Sequence, residues 1–140
     1  MTTTTAAGAA ARSHTGSGAL LRLALRLDAL VTGANGAAYL LAAPVLADLL
    51  GLSPGLLRGT GAFLLAYGAA VWLIGTRRPL PAGAARTVVG LNALWATGSV
   101  VVVLTDALTA TTAGDVWLVL QAAVVAGFAA LQVAGLRRLS

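Results

Sequence analysis

The sequence predicts an all-α, polytopic membrane protein: a four-helix bundle built from two tandem helical hairpins. Three observations carry that expectation. The 140 residues are 59% hydrophobic and only 9% charged, with a mean hydropathy of +0.91, whereas a soluble domain carries about 25% charged residues. Four stretches are each long enough to cross roughly 30 Å of hydrocarbon, which takes about 20 mostly apolar residues as a helix. Threading those four stretches through a bilayer also places eight of the nine Arg on one side.

Residues 1–18, MTTTTAAGAAARSHTGSG, are small and polar without apolar periodicity. They read as a disordered tail and, lacking a hydrophobic segment, not as a cleavable signal peptide. Residues 19–140 then form one membrane domain. Its first span is expected over about 23–43, where Pro44 ends or kinks the helix. The following VLADLLG is too short to cross and is expected at the interface. A second span is expected over 54–76, with Ser53 as N-cap and Pro54 at the first helical position. The third and fourth are expected over about 85–104 and 115–136, joined through the turn-rich connectors RRPLPAG and TDALTATTAG.

Orientation follows from the basic residues, which concentrate on the cytoplasmic side of membrane proteins. Arg12, Arg22 and Arg26 precede span 1, Arg77, Arg78 and Arg86 separate spans 2 and 3, and Arg137 and Arg138 follow span 4. Only Arg58 falls on the other side, with Asp48, Asp106 and Asp115. The expectation is a multi-pass cell-membrane protein with both termini cytoplasmic. Tyr39 and Trp72, near span ends, have the placing of interfacial aromatics.

An internal repeat supports the hairpins. LDAL at 27–30 recurs as LNAL at 91–94, Arg22 falls on Arg86 at the same offset, and GTRR at 75–78 is echoed by GLRR at 135–138. Two hairpins of like orientation imply a pseudo-twofold axis along the membrane normal.

The polar residues inside the spans lie on helical faces. Asp28, Thr32, Asn35 and Tyr39 are spaced to form one stripe, Asn92 and Ser99 a thinner one, and Gln121, Phe128 and Gln132 a third. Polar side chains are costly in lipid, so these stripes are expected to turn inward and meet. Asp28, Thr32, Asn35, Asn92, Ser99, Gln121 and Gln132 are therefore candidates for ligand or ion binding. The plainer reading is that the amides hydrogen-bond across helices and set register, at about 0.6–2 kcal/mol per pair. For Asp28 the readings are an ion pair with Arg22 or Arg86, a carboxyl kept neutral by desolvation, or a functional carboxylate for protons or cations. Gly61, Gly68 and Gly75 recur every seven residues and predict a groove for close helix contact. Ala29, Gly33 and Ala37, and Ala126, Ala130 and Ala134, suggest the same on spans 1 and 4. Gly55-x-x-x-Gly59 offers a dimer contact, and a homo-oligomer is expected.

Several functions are excluded. The single His14 lies in the tail, and there is no Cys, Lys or Glu. The chain thus has no set of nucleophiles, acids and bases for an independent enzyme, and no ligand set for a metal, haem or other cofactor. A pI near 11.5 comes from scattered Arg, not from the basic stripe that nucleic-acid binding needs.

LRLDALVTGANGAAYLL, LLGLSPGLLRGTGAFLLAYGAAVWLIGTRR and LNALWATGS resemble the small four-helix integral membrane proteins of high-GC Gram-positive bacteria, remotely DoxX-like in layout. That resemblance implies fold and location but no catalytic residues. It leads to the expectation of a bundle that binds membrane lipid or an apolar ligand, or serves as an accessory subunit. The alternative is a proton- or cation-coupled transporter or oligomeric channel using Asp28. Four spans in so short a chain resemble the small multidrug resistance transporters, which work as dimers around a carboxylate in the first helix. Asp28 is the only match here; the characteristic Glu and its aromatic neighbours are missing.

The topology is directly testable. A membrane-impermeant thiol reagent applied from outside should label a Cys placed at Thr109 and miss one at Gly83; the reverse pattern refutes the orientation, and labelling of both refutes the span count.

Overall fold

The structure is a computed structural model and describes residues 18–139. The expected disordered tail, apart from Gly18, lies outside the described residues. Five helices follow one another: α1 (Thr2–Leu41, described from Gly18), α2 (Ala43–Leu50), α3 (Pro54–Thr76), α4 (Ala82–Thr105) and α5 (Thr112–Leu139). No strand occurs among the described residues.

Three of these helices, α3, α4 and α5, are each long and apolar enough to cross a membrane alone. A fourth crossing exists only if Gly18–Leu41 and Ala43–Leu50 are taken together, and these are bent by 96° at their junction. The regular part of the first span ends at Leu41, two residues before the expected boundary, because Pro44 must sit in the first turn of a helix. Ala42 adopts φ −118° and ψ 23° and breaks the run. On the short α2, Val45 and Leu49 form an exposed apolar row, at 70% and 57% exposure. Residues four apart share a helix face, and an apolar face of this kind suits a helix lying along a membrane surface. Gly51 ends α2 at φ 70°, a left-handed conformation glycine adopts without steric cost. Thr111 then fastens the α4–α5 connector to it, donating from its backbone N to Leu50 O at 3.1 Å and from Oγ1 to Leu49 O at 2.8 Å. Ser53 caps α3, its Oγ accepting from Leu56 N at 3.0 Å.

Packing is uneven around the bundle. α1 lies against both α3 and α5, α4 lies against α5, and α3 and α4 barely touch. The order around the ring is therefore α3, α1, α5, α4, with a thin seam where it closes. A strict twofold relating the α1/α3 hairpin to the α4/α5 hairpin would make the α1–α5 and α3–α4 contacts equal, and the packing does not have that symmetry.

The tight seams are made by small residues. Gly61, Gly68 and Gly75 are all buried on the face of α3 that meets α1. At the closest point Gly36 and Gly61 face each other, and a Cβ on either would lie 2.7 Å from the carbonyl oxygen of the other. Gly68 sits against Ala29 and Gly33, and Gly75 against Leu25 and Arg26. On α5 the small residues that pack inward are Ala122, Ala129 and Gly135, while Ala126 and Ala130 of the expected row are exposed. The inward phase of α5 is set by Gln132, which is fully buried, and Ala126 and Ala130 fall off that face. Gly55 and Gly59 lie on the exposed surface of α3, with open space where a methyl group would stand.

Two apolar clusters close the ends of the bundle. One joins Leu21, Leu25, Ala29, Val71, Ala85 and Val88; the other joins Tyr39, Ala43, Ala47, Leu50, Leu52, Leu57 and Leu64. Large apolar residues such as Leu73, Leu94 and Leu104 remain outside, as in a helix bundle whose solvent is hydrocarbon.

Gly61→Leu should force α1 and α3 apart and destabilise the protein by about 1–3 kcal/mol or more, whereas Gly59→Leu, in open space, should be nearly neutral. Thermal unfolding of both variants in mild detergent checks the contrast.

Candidate functional site

Asp28 projects from α1 into the centre of the bundle and is 0% exposed. Its Oδ1 accepts from Thr32 Oγ1, one turn along the same helix, at 3.0 Å. Its Oδ2 accepts from Asn92 Nδ2 of α4 at 2.6 Å and from Gln132 Nε2 of α5 at 2.8 Å. The two amides are also joined, Asn92 Nδ2 donating to Gln132 Oε1 at 3.2 Å. The fourth long helix completes the cluster through Tyr67, whose hydroxyl donates to Asn92 Oδ1 at 2.9 Å. A buried carboxylate thus draws a donor from its own helix and two others, and a buried polar group with its partners in place avoids the desolvation cost that an orphan would carry.

No arginine is among the partners of Asp28. Arg22 lies six residues earlier, about 9 Å along the helix axis, and is engaged elsewhere. Its Nε donates to Gly75 O at 3.1 Å and its Nη2 to Arg77 O at 3.0 Å, at the C-terminal end of α3. Free carbonyls and the negative end of the helix dipole favour a cation there. Arg86 is exposed. The ion pair expected for Asp28 is replaced by amide and hydroxyl donors.

A second polar layer lies further along the helices. Gln121 Nε2 donates to Ser99 Oγ at 3.3 Å, and Gln121 Oε1 accepts from Trp95 Nε1 at 3.4 Å. A third joins Trp117 Nε1 to Tyr39 Oη at 2.7 Å. Tyr39 is 5% exposed, so it is an interior residue and not the interfacial anchor its position near a span end suggests. Trp72 does remain at the surface, with the Arg26 guanidinium 5.7 Å above its ring.

Between the Asp28 cluster and these outer layers is a cavity of about 970 Å³, open to the surroundings and lined by α1, α3, α4 and α5. Its walls are overwhelmingly apolar, and every lining residue is uncharged. Thr32 and Asn92 form part of the wall, so the cluster makes up the polar end of the cavity, but Asp28 itself stands behind them. Asn35 and Gln121 also line it, as does Phe128. Along the thin α3–α4 seam three aromatic rings follow in order: Tyr67 stacks on Phe63 at 5.9 Å and Phe63 on Trp95 at 6.1 Å.

The structure brings Asp28, Thr32, Asn92 and Gln132 into one network and Ser99 with Gln121 into another; Asn35 belongs to neither. Tyr67, Phe63, Trp95 and Trp117 were not singled out by the spacing of polar residues. Tyr67 carried a usable signal, since a tyrosine in mid-span must find a partner for its hydroxyl. Among the described residues no group of His, Cys, Asp or Glu could hold a metal ion. No protein-family model, curated protein or solved structure matches the chain.

Replacing Asp28 by Leu leaves the amide donors of Asn92 and Gln132 without their acceptor. The expected loss is about 2 kcal/mol or more, against less than about 0.5 kcal/mol for Leu104→Ala at the surface. Unfolding of both variants in detergent, and a double-mutant cycle of Asp28→Leu with Asn92→Leu showing strong coupling, check the network.

Proposed function

We propose that the protein is a small membrane bundle that holds an apolar ligand or lipid chain in its interior. The observation that carries this reading is the cavity of about 970 Å³ with apolar walls and a polar end. Sites for small molecules are concave, mostly apolar, up to about 1,000 Å³, and use a few placed polar groups to orient the occupant. The thin α3–α4 seam gives such an occupant a lateral way in from the hydrocarbon without breaking the glycine-packed seams. With the termini cytoplasmic, as the arginines suggest, the Asp28 cluster lies toward the cytoplasmic side and the cavity toward the outer half. Self-association through the open Gly55/Gly59 face of α3 is part of the same proposal.

Transport coupled to Asp28 is the weaker reading, because that carboxylate is wholly enclosed and does not reach the cavity wall. In liposomes, wild type and Asp28→Asn should then show the same background proton flux.

Purification in mild detergent followed by organic extraction and mass spectrometry should recover a stoichiometric apolar molecule. Gly98 lines the cavity, with open space where a side chain would start, so Gly98→Phe should fill the site and reduce the recovered ligand about tenfold, a loss of about 1.4 kcal/mol in binding. Equal recovery from the variant, or none from wild type, refutes the reading.

A further inference from the structure

We infer that the cavity selects an uncharged lipid that carries a hydroxyl group, with Asn35 as the residue that reads the head. This rests on the reading of the cavity as a ligand site and adds the chemical class of the occupant.

The first argument is charge. No lining residue is ionised. The nearest fixed charge behind the polar end is Asp28, whose oxygens are taken up by Thr32, Asn92 and Gln132. A phosphate placed at this end would meet no cation and would face a carboxylate one layer away, in a medium that strengthens repulsion. Arg58 lies on α3 five residues before Phe63, but it is exposed and outside the cavity wall.

The second argument is a census of hydrogen-bonding capacity along the wall. Thr32 spends its proton on Asp28 and Tyr67 spends its proton on Asn92. Asn92 donates to Asp28 and Gln132, and Gln121 is engaged with Trp95 and Ser99 on its two ends. Asn35 differs. It lies on the same stripe as Thr32, lines the cavity and is half-buried, and among the described residues its carboxamide has no partner. A carboxamide offers two N–H donors and a carbonyl acceptor, so it complements a group that both accepts and donates. A hydroxyl does this. An ester or ether only accepts, and leaves the Asn35 carbonyl unpaired in an apolar cavity, a cost that makes such sites discriminate.

The third argument is the rest of the wall. Phe63 and Trp95, stacked on each other, line the cavity together with aliphatic side chains, a lining that suits acyl or isoprenoid chains and adds no charge.

Trp95 and Trp117 line the cavity and report on it, so the test uses their fluorescence in the full chain carrying Trp72→Phe, reconstituted in phosphatidylcholine vesicles. Three bromine-labelled probes are compared: a diacylglycerol, its O-methyl ether and a phosphatidylglycerol with the same chains. The diacylglycerol should quench at about tenfold lower mole fraction than the other two. In Asn35→Leu and Asn35→Ala, neither of which removes an existing hydrogen bond, its advantage over the methyl ether should disappear. Equal or stronger quenching by phosphatidylglycerol, or an unchanged preference in both variants, overturns the assignment of head group while leaving a lipid site standing. Absence of saturable quenching by any probe overturns the lipid site and this inference together.

Discussion

Burying one carboxylate in a chain that has no lysine, and meeting it with neutral donors, constrains everything around it. Among the described residues the hydrogen-bond partners of Asp28 are all neutral donors. One donor can come from its own helix, and Thr32 supplies it. The remaining donors must come from neighbours, which fixes α4 at Asn92 and α5 at Gln132; Tyr67 then brings in α3 by donating to Asn92. A charge in mid-helix is costly by roughly 2.5–3.5 kcal/mol even on the lenient scale. Only an arrangement with all these partners in register offsets that cost, so the cluster specifies the assembly more sharply than apolar packing in a hydrocarbon solvent can.

The small-residue seams and the aromatic seam divide the remaining task. Where α1 crosses α3, Gly36 and Gly61 let the backbones touch, and where α1 meets α5, Gly135 admits Leu21. The first contact draws α1 and α3 together toward the end where α1 finishes, and the second draws α1 and α5 together at the opposite end, beside Arg22. On the other side, Phe63, Tyr67 and Trp95 stand between α3 and α4, and rings stacked at about 6 Å hold helices apart that glycines would let approach. The cavity is the space left by that difference: small residues on two seams, large flat ones on the third.

Much of this layout could be read from residue types and spacing. The all-helical, membrane-spanning character follows from hydropathy, and the inward stripes of Asp28, Asn92 and Gln132 follow from the cost of polar groups in lipid. What escaped was geometry that depends on partners. On α5 the glutamine stripe and the Ala126/Ala130/Ala134 row pointed to different faces, and buried Gln132 shows that the polar stripe sets the phase. Arg22 looked available to Asp28 because sequence distance does not reveal that the carbonyls at the end of α3 had claimed it. The pseudo-twofold suggested by LDAL and LNAL concerns local sequence, while the observed packing is decided by bulky residues that have no counterpart in the other hairpin. Tyr39 carried two signals, an inward stripe and a place near a span end; the stripe prevails, and Trp117, far along the chain, supplies the partner that spacing could not name.

The polar cluster and the seam are linked through a single side chain. Parting α3 from α4 requires loss of the Phe63–Trp95 stack, about 0.5–1.5 kcal/mol, and of the Tyr67–Asn92 hydrogen bond, about 0.5–1.5 kcal/mol net. The α1–α3 and α1–α5 seams would lose glycine-mediated close packing as well, which leaves α3–α4 the thinnest of the four seams. Asn92 is also the residue whose amide meets Asp28, so a shift of α3 that releases Tyr67 frees the Asn92 carbonyl at the cavity end while its amide stays bound to the carboxylate. On the proposed reading, an occupant entering along this seam would meet the Asn92 carbonyl that Tyr67 otherwise holds. By holding Asn92 in place, the Asp28 carboxylate fixes the polar end of the cavity without itself reaching the wall.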